Sequence, residues 1–249
     1  MLIKDKIAES GHWYERDGTP RYTVVAKNGQ NRSTTLRDAR TLSLVPSVTT
    51  IINVAAKPGL DSWKQQQVLL SALTLPKRQD ELEADWLERV MQDSKATGKA
   101  AAERGTAIHA TIEAYFEGNI IPEAMPTCNA VQKALDDHFG KVTWSSEKSF
   151  GHELGFGGKC DLHADNIVVD IKTKEGDLQN VDIYAEHGMQ LAAYREGFGM
   201  PTARCANIFV SSTHPGIVKL IQHDSDDLDR YWKMFVKLLE FWQLKNSHK

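Results

Sequence analysis

Two aspartates and a lysine stand in a segment that reads as a short hairpin: Gly157-Gly158-Lys159-Cys160-Asp161-Leu162, a turn at Asp165-Asn166, then Val168-Val169-Asp170-Ile171-Lys172. With a two-residue loop, Asp161 falls directly opposite Asp170. Alternation along the strands gathers Lys159, Asp161, His163, Val168, Asp170 and Lys172 on one face. Cys160, Leu162, Ala164, Ile167, Val169 and Ile171 take the other, an apolar face expected to pack against helices. Opposed carboxylates with Cβ atoms about 5 Å apart repel each other unless something compensates. A divalent cation would do so; an ordinary solvated strand face is the alternative reading of the same spacing.

Other residues add to this group. Arg104-Gly105-Thr106-Ala107-Ile108-His109 reads as helical, and Glu113 follows one turn after His109 on the same face. A neutral imidazole with aspartate oxygens suits magnesium or manganese, nitrogen ligation favouring manganese, whereas zinc more often recruits cysteines or further histidines. A lone helical histidine is otherwise a packing or surface residue. Gln190 and Tyr194, four apart on the helix that follows Lys172, point the same way, and taken alone they describe a polar helix edge and a half-buried tyrosine. Glu147, on the strand before the hairpin, either holds a metal-bound water or ends an exposed strand face.

The elements that must position these groups follow from periodicity and punctuation. Tyr22-Thr23-Val24-Val25 and Thr41-Leu42-Ser43-Leu44 read as short β segments around a polar loop at Asn28-Gly29-Gln30-Asn31. Ser47 caps a helix through Ile51, Ile52 and Val54; Pro58 sits in the first turn of another that carries Leu60, Trp63 and Leu70 and closes at Pro76. A longer helical region runs from about Asp80 to Phe116, broken near Thr97-Gly98, and Thr127 caps a helix with Val131, Leu135 and Phe139. After Gly140 the period becomes two, through Val142, Trp144, Glu147 and Phe150. A helix from Asp182 to about Gly197, strands at Cys205–Ser211 and Ile217–Ile221, and a final helix capped by Asp224 or Ser225 complete the chain. The aromatic and aliphatic stripe of that helix, from Leu228 to Trp242, has the spacing of core rather than of a base-stacking platform.

At 249 residues with 41% hydrophobic content, the chain can bury one substantial core. The net charge of −3 does not announce a polyanion binder, but from Arg21 to Arg78 nine Lys or Arg stand against Asp38 and Asp61, a local charge of +7. Cys128, Cys160 and Cys205 are odd in number and widely spaced, so reduced, buried thiols are expected. No charged-then-apolar leader opens the chain, and no apolar run approaches the roughly 20 residues that span a membrane; the expected location is cytoplasmic, with no membrane partner.

The ordered set Gly105-x-x-x-His109, Glu147, Gly158-x-x-Asp161, Asp170-x-Lys172, Gln190-x-x-x-Tyr194 resembles the RecB-like branch of the PD-(D/E)XK nuclease superfamily, over roughly residues 100 to 200. The whole set is far more specific than any member. Pro46-Ser47-Val48-Thr49 followed by Trp63-Lys64 also looks like the N-terminal portion of single-strand exonucleases in that branch. The resemblance implies an α/β, restriction-endonuclease-like fold, a central mixed β-sheet flanked by helices, with a mainly helical N-terminal extension. It implies one nuclease domain over residues 1–249, with a DNA-guiding portion at 1–97 and the core at 98–249. His109, Asp161, Asp170 and the Ile171 backbone carbonyl would be metal ligands for Mg2+ or Mn2+. Lys172 would be the catalytic lysine, with Glu147 assisting.

Gln190 and Tyr194, with Ser47, Thr49, Trp63, Lys64 and Arg104, would lie against DNA; for Trp63, core packing is the competing reading. The iron-sulfur members of the branch carry four cysteines, so no such cluster is expected here. The implied activity is a metal-dependent DNA exonuclease leaving 5′-phosphates, of phage or prophage type in a bacterial host cell, with DNA ends or single strands as substrate and a single-strand annealing protein as a candidate partner. A structure-selective endonuclease and a catalytically silent DNA-binding protein are the rivals. The second is disfavoured because carboxylates facing a polyanion repel it.

Overall fold

The computed structural model describes residues 11–249. In chain order the elements are β1 (Trp13–Tyr14), β2 (Thr23–Val25), β3 (Asn31–Ser33), α1 (Leu36–Leu42), β4 (Val45–Pro46), α2 (Val48–Ile52), α3 (Pro58–Thr74), α4 (Glu83–Phe116), α5 (Met125–Phe139), β5 (Ser145–His152), β6 (Phe156–Ala164), β7 (Ile167–Lys174), α6 (Ala185–Gly197), β8 (Arg204–Ser211), β9 (Val218–Gln222) and α7 (Ser225–Asn246). They form two compact units: residues up to Val54 with Thr111–Lys249, and Ala55–Ala110.

The first unit is α/β. Its sheet has the order β5-β6-β7-β8-β9, antiparallel throughout except for the β7–β8 pair, which is parallel. Parallel neighbours need a crossover, and α6 supplies it. Phe150, Phe156, Cys160, Val168 and Cys205 join Leu191, Ala192 and Tyr194 of α6 and Leu228, Phe235, Leu239 and Trp242 of α7 in one buried cluster, so the aromatic stripe of the last helix is core. The leucine, valine and phenylalanine side chains among them each contribute about 1.5–3 kcal/mol as an upper bound. Helix α5 lies against β8 and β9. The central mixed sheet flanked by helices is the architecture the sequence led us to expect.

The first fifty residues belong to this unit. β1 pairs with β4, Ser47 bridges Gly157 of β6, and Leu44, Val48, Ile51 and Ile52 enter the core. The compact units meet in sequence at 54/55 and 110/111, and the early segments bury their apolar residues in the sheet unit's core.

Other local readings change for physical reasons. Thr41–Leu44 is not a strand: Thr35 and Asp38 form a reciprocal capping box that starts α1, and Ser43 ends it in the left-handed region at φ 55°. The expected break near Thr97-Gly98 does not occur, and α4 runs unbroken. Gly98 instead admits the Trp63 ring, which would lie 3.4 Å from a Cβ at that position. Asn31 opens β3 instead of closing a loop. Helix α5 begins at Met125 with proline in its first turn, so Thr127 lies inside it, and α6 is capped at Tyr184 instead of beginning at Asp182.

In the second unit, the link between α3 and α4 is tied down by polar contacts. Trp86 Nε1 donates to the Leu75 carbonyl at 2.7 Å, and Arg89 donates from Nε and Nη2 to the Glu81 carboxylate at 2.9 and 2.8 Å. The Arg89 guanidinium holds the Glu81 carboxyl down to about 2. A depressed carboxyl stabilises the folded form above its unfolded value of about 4.5. That contribution is lost as the pH falls through about 2. Helical circular dichroism should therefore weaken between pH 4.5 and pH 2, and Glu81→Gln should flatten this part of the profile. An unchanged profile in the variant would exclude the pair as its source. Among the described residues, no helix is long and apolar enough to cross a membrane.

Candidate active site

Strands β6 and β7 form the expected hairpin. Ala164 pairs with Ile167 across a two-residue loop, with Asn166 in the left-handed region at φ 53°, and the register continues through His163–Val168 and Leu162–Val169. The next step of that register would put Asp161 opposite Asp170, but the paired positions stop at Leu162–Val169. There the Asp161 carboxylate replaces a backbone acceptor: its Oδ2 receives the Ile171 amide at 2.6 Å. On the other side of β6, Glu147 has φ 52° and is skipped between the Ser146–Leu162 and Lys148–Cys160 pairs. Both ladders are thus interrupted beside Asp161, and strict alternation does not survive the interruption. Cys160, expected on the face of Leu162, lies in the same buried cluster as Val168 and Cys205.

Asp170 is 2% exposed, a carboxylate almost wholly withdrawn from water. Burial on that scale requires compensating donors. Lys172 Nζ approaches Asp170 Oδ2 at 2.8 Å and also donates to Gln190 Oε1 at 2.8 Å; Gln190 Nε2 in turn donates to the Tyr194 hydroxyl at 2.8 Å. The helix that makes the parallel crossover therefore connects directly to the carboxylate and lysine of β7. Burial, then the charges of Asp170 and Asp161, push the Tyr194 phenol well above its ordinary value, with Gln190 opposing them. The same two carboxylates, after burial, raise the Cys160 thiol. Both aspartates thus act on the same neighbourhood.

Gly158 explains how Tyr194 gets so near the strand. A Cβ at that position would meet the Tyr194 ring at 2.8 Å and the Phe150 ring at 2.9 Å. Glu147 belongs to an adjacent group: it is ion-paired with Lys159, and the Glu113 carboxyl is pushed up first by burial and then by its hydrogen bond with Glu147. Ser47 is buried and caps α2, accepting the Thr50 amide at 3.1 Å, with its hydroxyl 3.0 Å from that of Thr49.

His109, Arg104, Trp63 and Lys64 belong to the second unit. Trp63 there faces Gly98 and is 38% exposed, and Lys64 lies 3.9 Å from Asp61. The basic stretch is partly neutralised within the chain: Arg21 pairs with Glu15 at 2.5 Å, and Arg32 contacts both oxygens of Asp38 at 2.6 and 2.8 Å. The three cysteines are buried and free, and burial pushes the Cys205 thiol up to about 12, which removes it as a nucleophile near neutrality.

Among the described residues, no group of three or more His, Cys, Asp or Glu side chains is placed to hold a metal ion. Magnesium asks for less, since one or two carboxylates suffice when waters and substrate phosphates complete its shell. The hard oxygens of Asp161 and Asp170 fit that donor set. Sequence reasoning missed Asn207 and His223, which extend the Asp170 network on its other side: Asn207 Nδ2 donates to Asp170 Oδ2 at 2.9 Å, and His223 Nε2 stands 2.8 Å from Asn207 Oδ1. The available signal was one amide inside the apolar run Cys205-Ala206-Asn207-Ile208-Phe209-Val210.

No protein-family model matches the chain, and no curated protein matches it. Solved structures with some likeness include a candidate exonuclease from Eubacterium rectale, at 13% identity over 59% of this chain and 69% of that one with a TM-score of 0.42. An alkaline exonuclease from Laribacter hongkongensis aligns at 13% identity over 75% and 98%, TM-score 0.35. A phage-related exonuclease from Haemophilus somnus aligns at 12% identity over 71% and 93%, TM-score 0.32.

Proposed function

We propose that the protein is a metal-dependent DNA exonuclease that hydrolyses phosphodiester bonds to 5′-phosphate products. The observation that carries this reading is the Lys172 ammonium held between the buried Asp170 carboxylate and Gln190, beside Asp161 where the two strand ladders break off. A salt bridge meant for stability alone gains little from such a place, because desolvation offsets most of its Coulomb energy.

Asp161 and Asp170, with the Ile171 carbonyl, would hold Mg2+ or Mn2+, which when bound polarises water and neutralises charge on the phosphate. The chain's own groups do the rest. An ammonium has three N–H donors; two of those of Lys172 are directed at Asp170 and Gln190, and the third is available to a water. Lys172 would thereby orient the attacking water and place positive charge where the phosphate oxygens gain negative charge. Gln190 fixes the lysine from the helix side, and Tyr194, kept protonated by burial, fixes Gln190. Exposed Lys and Arg would meet the rest of the phosphate backbone, so binding should weaken as salt rises.

The test is degradation of 5′-blocked, 3′-blocked, duplex and covalently closed single-stranded DNA in Mg2+ or Mn2+, with EDTA controls. Linear substrates should be degraded to products that carry 5′-phosphates, seen as inorganic phosphate released by phosphatase, and circles should survive. Cut circles would replace the exonuclease by an endonuclease. If no substrate is degraded in either metal, the reading is wrong.

A further inference from the structure

We propose that Asn207 and His223 are positioning residues that hold the Asp170 carboxylate in a single orientation for metal binding, an inference that rests on the nuclease reading above. Asn207 of β8 is the parallel partner of Asp170 on β7, so their side chains lie side by side on one face of the sheet. Asn207 is 0% exposed, between neighbours Ala206 and Ile208 that are equally buried. An amide there is costly unless both its ends are satisfied, and here they are. The Nδ2 amide donates to Asp170 Oδ2 at 2.9 Å, and Oδ1 faces His223 Nε2 at 2.8 Å.

The direction of this chain follows from chemistry. An ionised carboxylate only accepts, so the NH2 group of Asn207 must face Asp170 and its oxygen must face the histidine. His223 Nε2 therefore carries a proton and donates. His223 is itself held by the structure: its amide donates to the Cys205 carbonyl at 2.9 Å, and its ring meets Tyr231 of α7 edge to face, with centroids 6.2 Å apart. The hydrogen bonds thus run from His223, in the link between β9 and α7, through Asn207 to one oxygen of Asp170. Lys172 reaches that same oxygen, Oδ2, at 2.8 Å. A carboxylate held at one oxygen by donors from two residues cannot rotate about its Cβ–Cγ bond. Partners of this kind, behind a ligand, typically govern metal affinity by 10- to 100-fold.

The experiment measures binding of Mn2+ alone to the intact protein, from the free-ion electron paramagnetic resonance signal, and separately the Mn2+ concentration that half-saturates DNA degradation. Asn207→Leu should weaken Mn2+ binding about 10- to 100-fold and raise the half-saturating concentration in parallel. His223→Leu should shift both in the same direction. His223→Gln, whose amide can still donate to Asn207, should restore both toward wild type, a rescue set by the kept donor. A merely structural role would lower the melting temperature of the variants and leave the affinity of the folded protein unmoved.

Equal Mn2+ affinity in wild type, Asn207→Leu and His223→Leu overturns the inference, and so does failure of His223→Gln to recover. Should Asn207→Leu not fold, the two His223 variants decide. A wild type that binds Mn2+ and shows these shifts without degrading DNA would leave the inference standing and remove the nuclease reading. Intact nuclease activity with unshifted affinities would do the reverse. No Mn2+ binding by the wild type would overturn the inference and leave the nuclease reading to the degradation assay.

Discussion

Lys172→Met should lower metal-dependent DNA degradation by about 100- to 10,000-fold, the range spanned by groups that handle protons or stabilise charge in a transition state. Asp170→Asn should do at least as much, because it removes a proposed ligand as well as the lysine's partner. Methionine keeps the aliphatic arm and deletes only the ammonium, so the change isolates the charge. The stability cost should be smaller than the 3–5 kcal/mol typical of breaking a fully buried pair. Lys172 is 24% exposed at its side chain, and Asn207 still donates to the carboxylate it leaves behind. Retention of the wild-type rate in a folded Lys172→Met protein would remove Lys172 from the site.

How far the sequence carried this reading depends on which kind of information each element needed. The turn at Asp165-Asn166 and its register were legible because a two-residue loop leaves one pairing, and the register observed at Leu162–Val169 is the one expected. What followed was not legible, since the ladder stops when the Asp161 side chain takes the Ile171 amide, a choice made by side-chain chemistry rather than by alternation. The core helix α7 was readable from its stripe alone. Helix α1 was not, because seven residues give little periodicity and its start depends on the Thr35–Asp38 box, two residues outside any apolar pattern. The link from Lys172 to Gln190 and Tyr194 joins groups whose sequence spacing does not encode their contact; the resemblance named the residues, and the parallel crossover explains their proximity. Asn207 and His223 escaped notice for the same reason. Their partner Asp170 is distant in sequence and adjacent only in the sheet.

Gly158→Ala should damage stability and activity together, and comparison with Gly197→Ala should separate the two effects. The Phe150 ring packs against both glycines: an added Cβ would meet it at 2.9 Å from Gly158 and at 2.0 Å from Gly197. Phe150 is 6% exposed and Tyr194 5%, so neither ring can swing into solvent to make room. Overpacking of this kind costs about 1–3 kcal/mol. For a unit of this size, that corresponds to a fall in melting temperature of roughly 2–12 °C. The difference between the sites lies in the second neighbour. At Gly158 the new methyl would also lie 2.8 Å from the ring of Tyr194, whose hydroxyl receives the Gln190 hydrogen bond and so stands two links from Lys172. At Gly197 the nearest atoms all belong to Phe150. Gly158→Ala should therefore lose activity beyond what its melting temperature explains when assayed well below that temperature. Gly197→Ala should melt early but retain its rate. Gly59→Ala, where nothing lies within 4 Å of the added carbon, supplies the neutral control. Equal activities in Gly158→Ala and Gly197→Ala at matched folded fractions would show that Tyr194 does not transmit strain to the lysine. The glycine of the Gly158-x-x-Asp161 spacing would then serve only to seat Phe150.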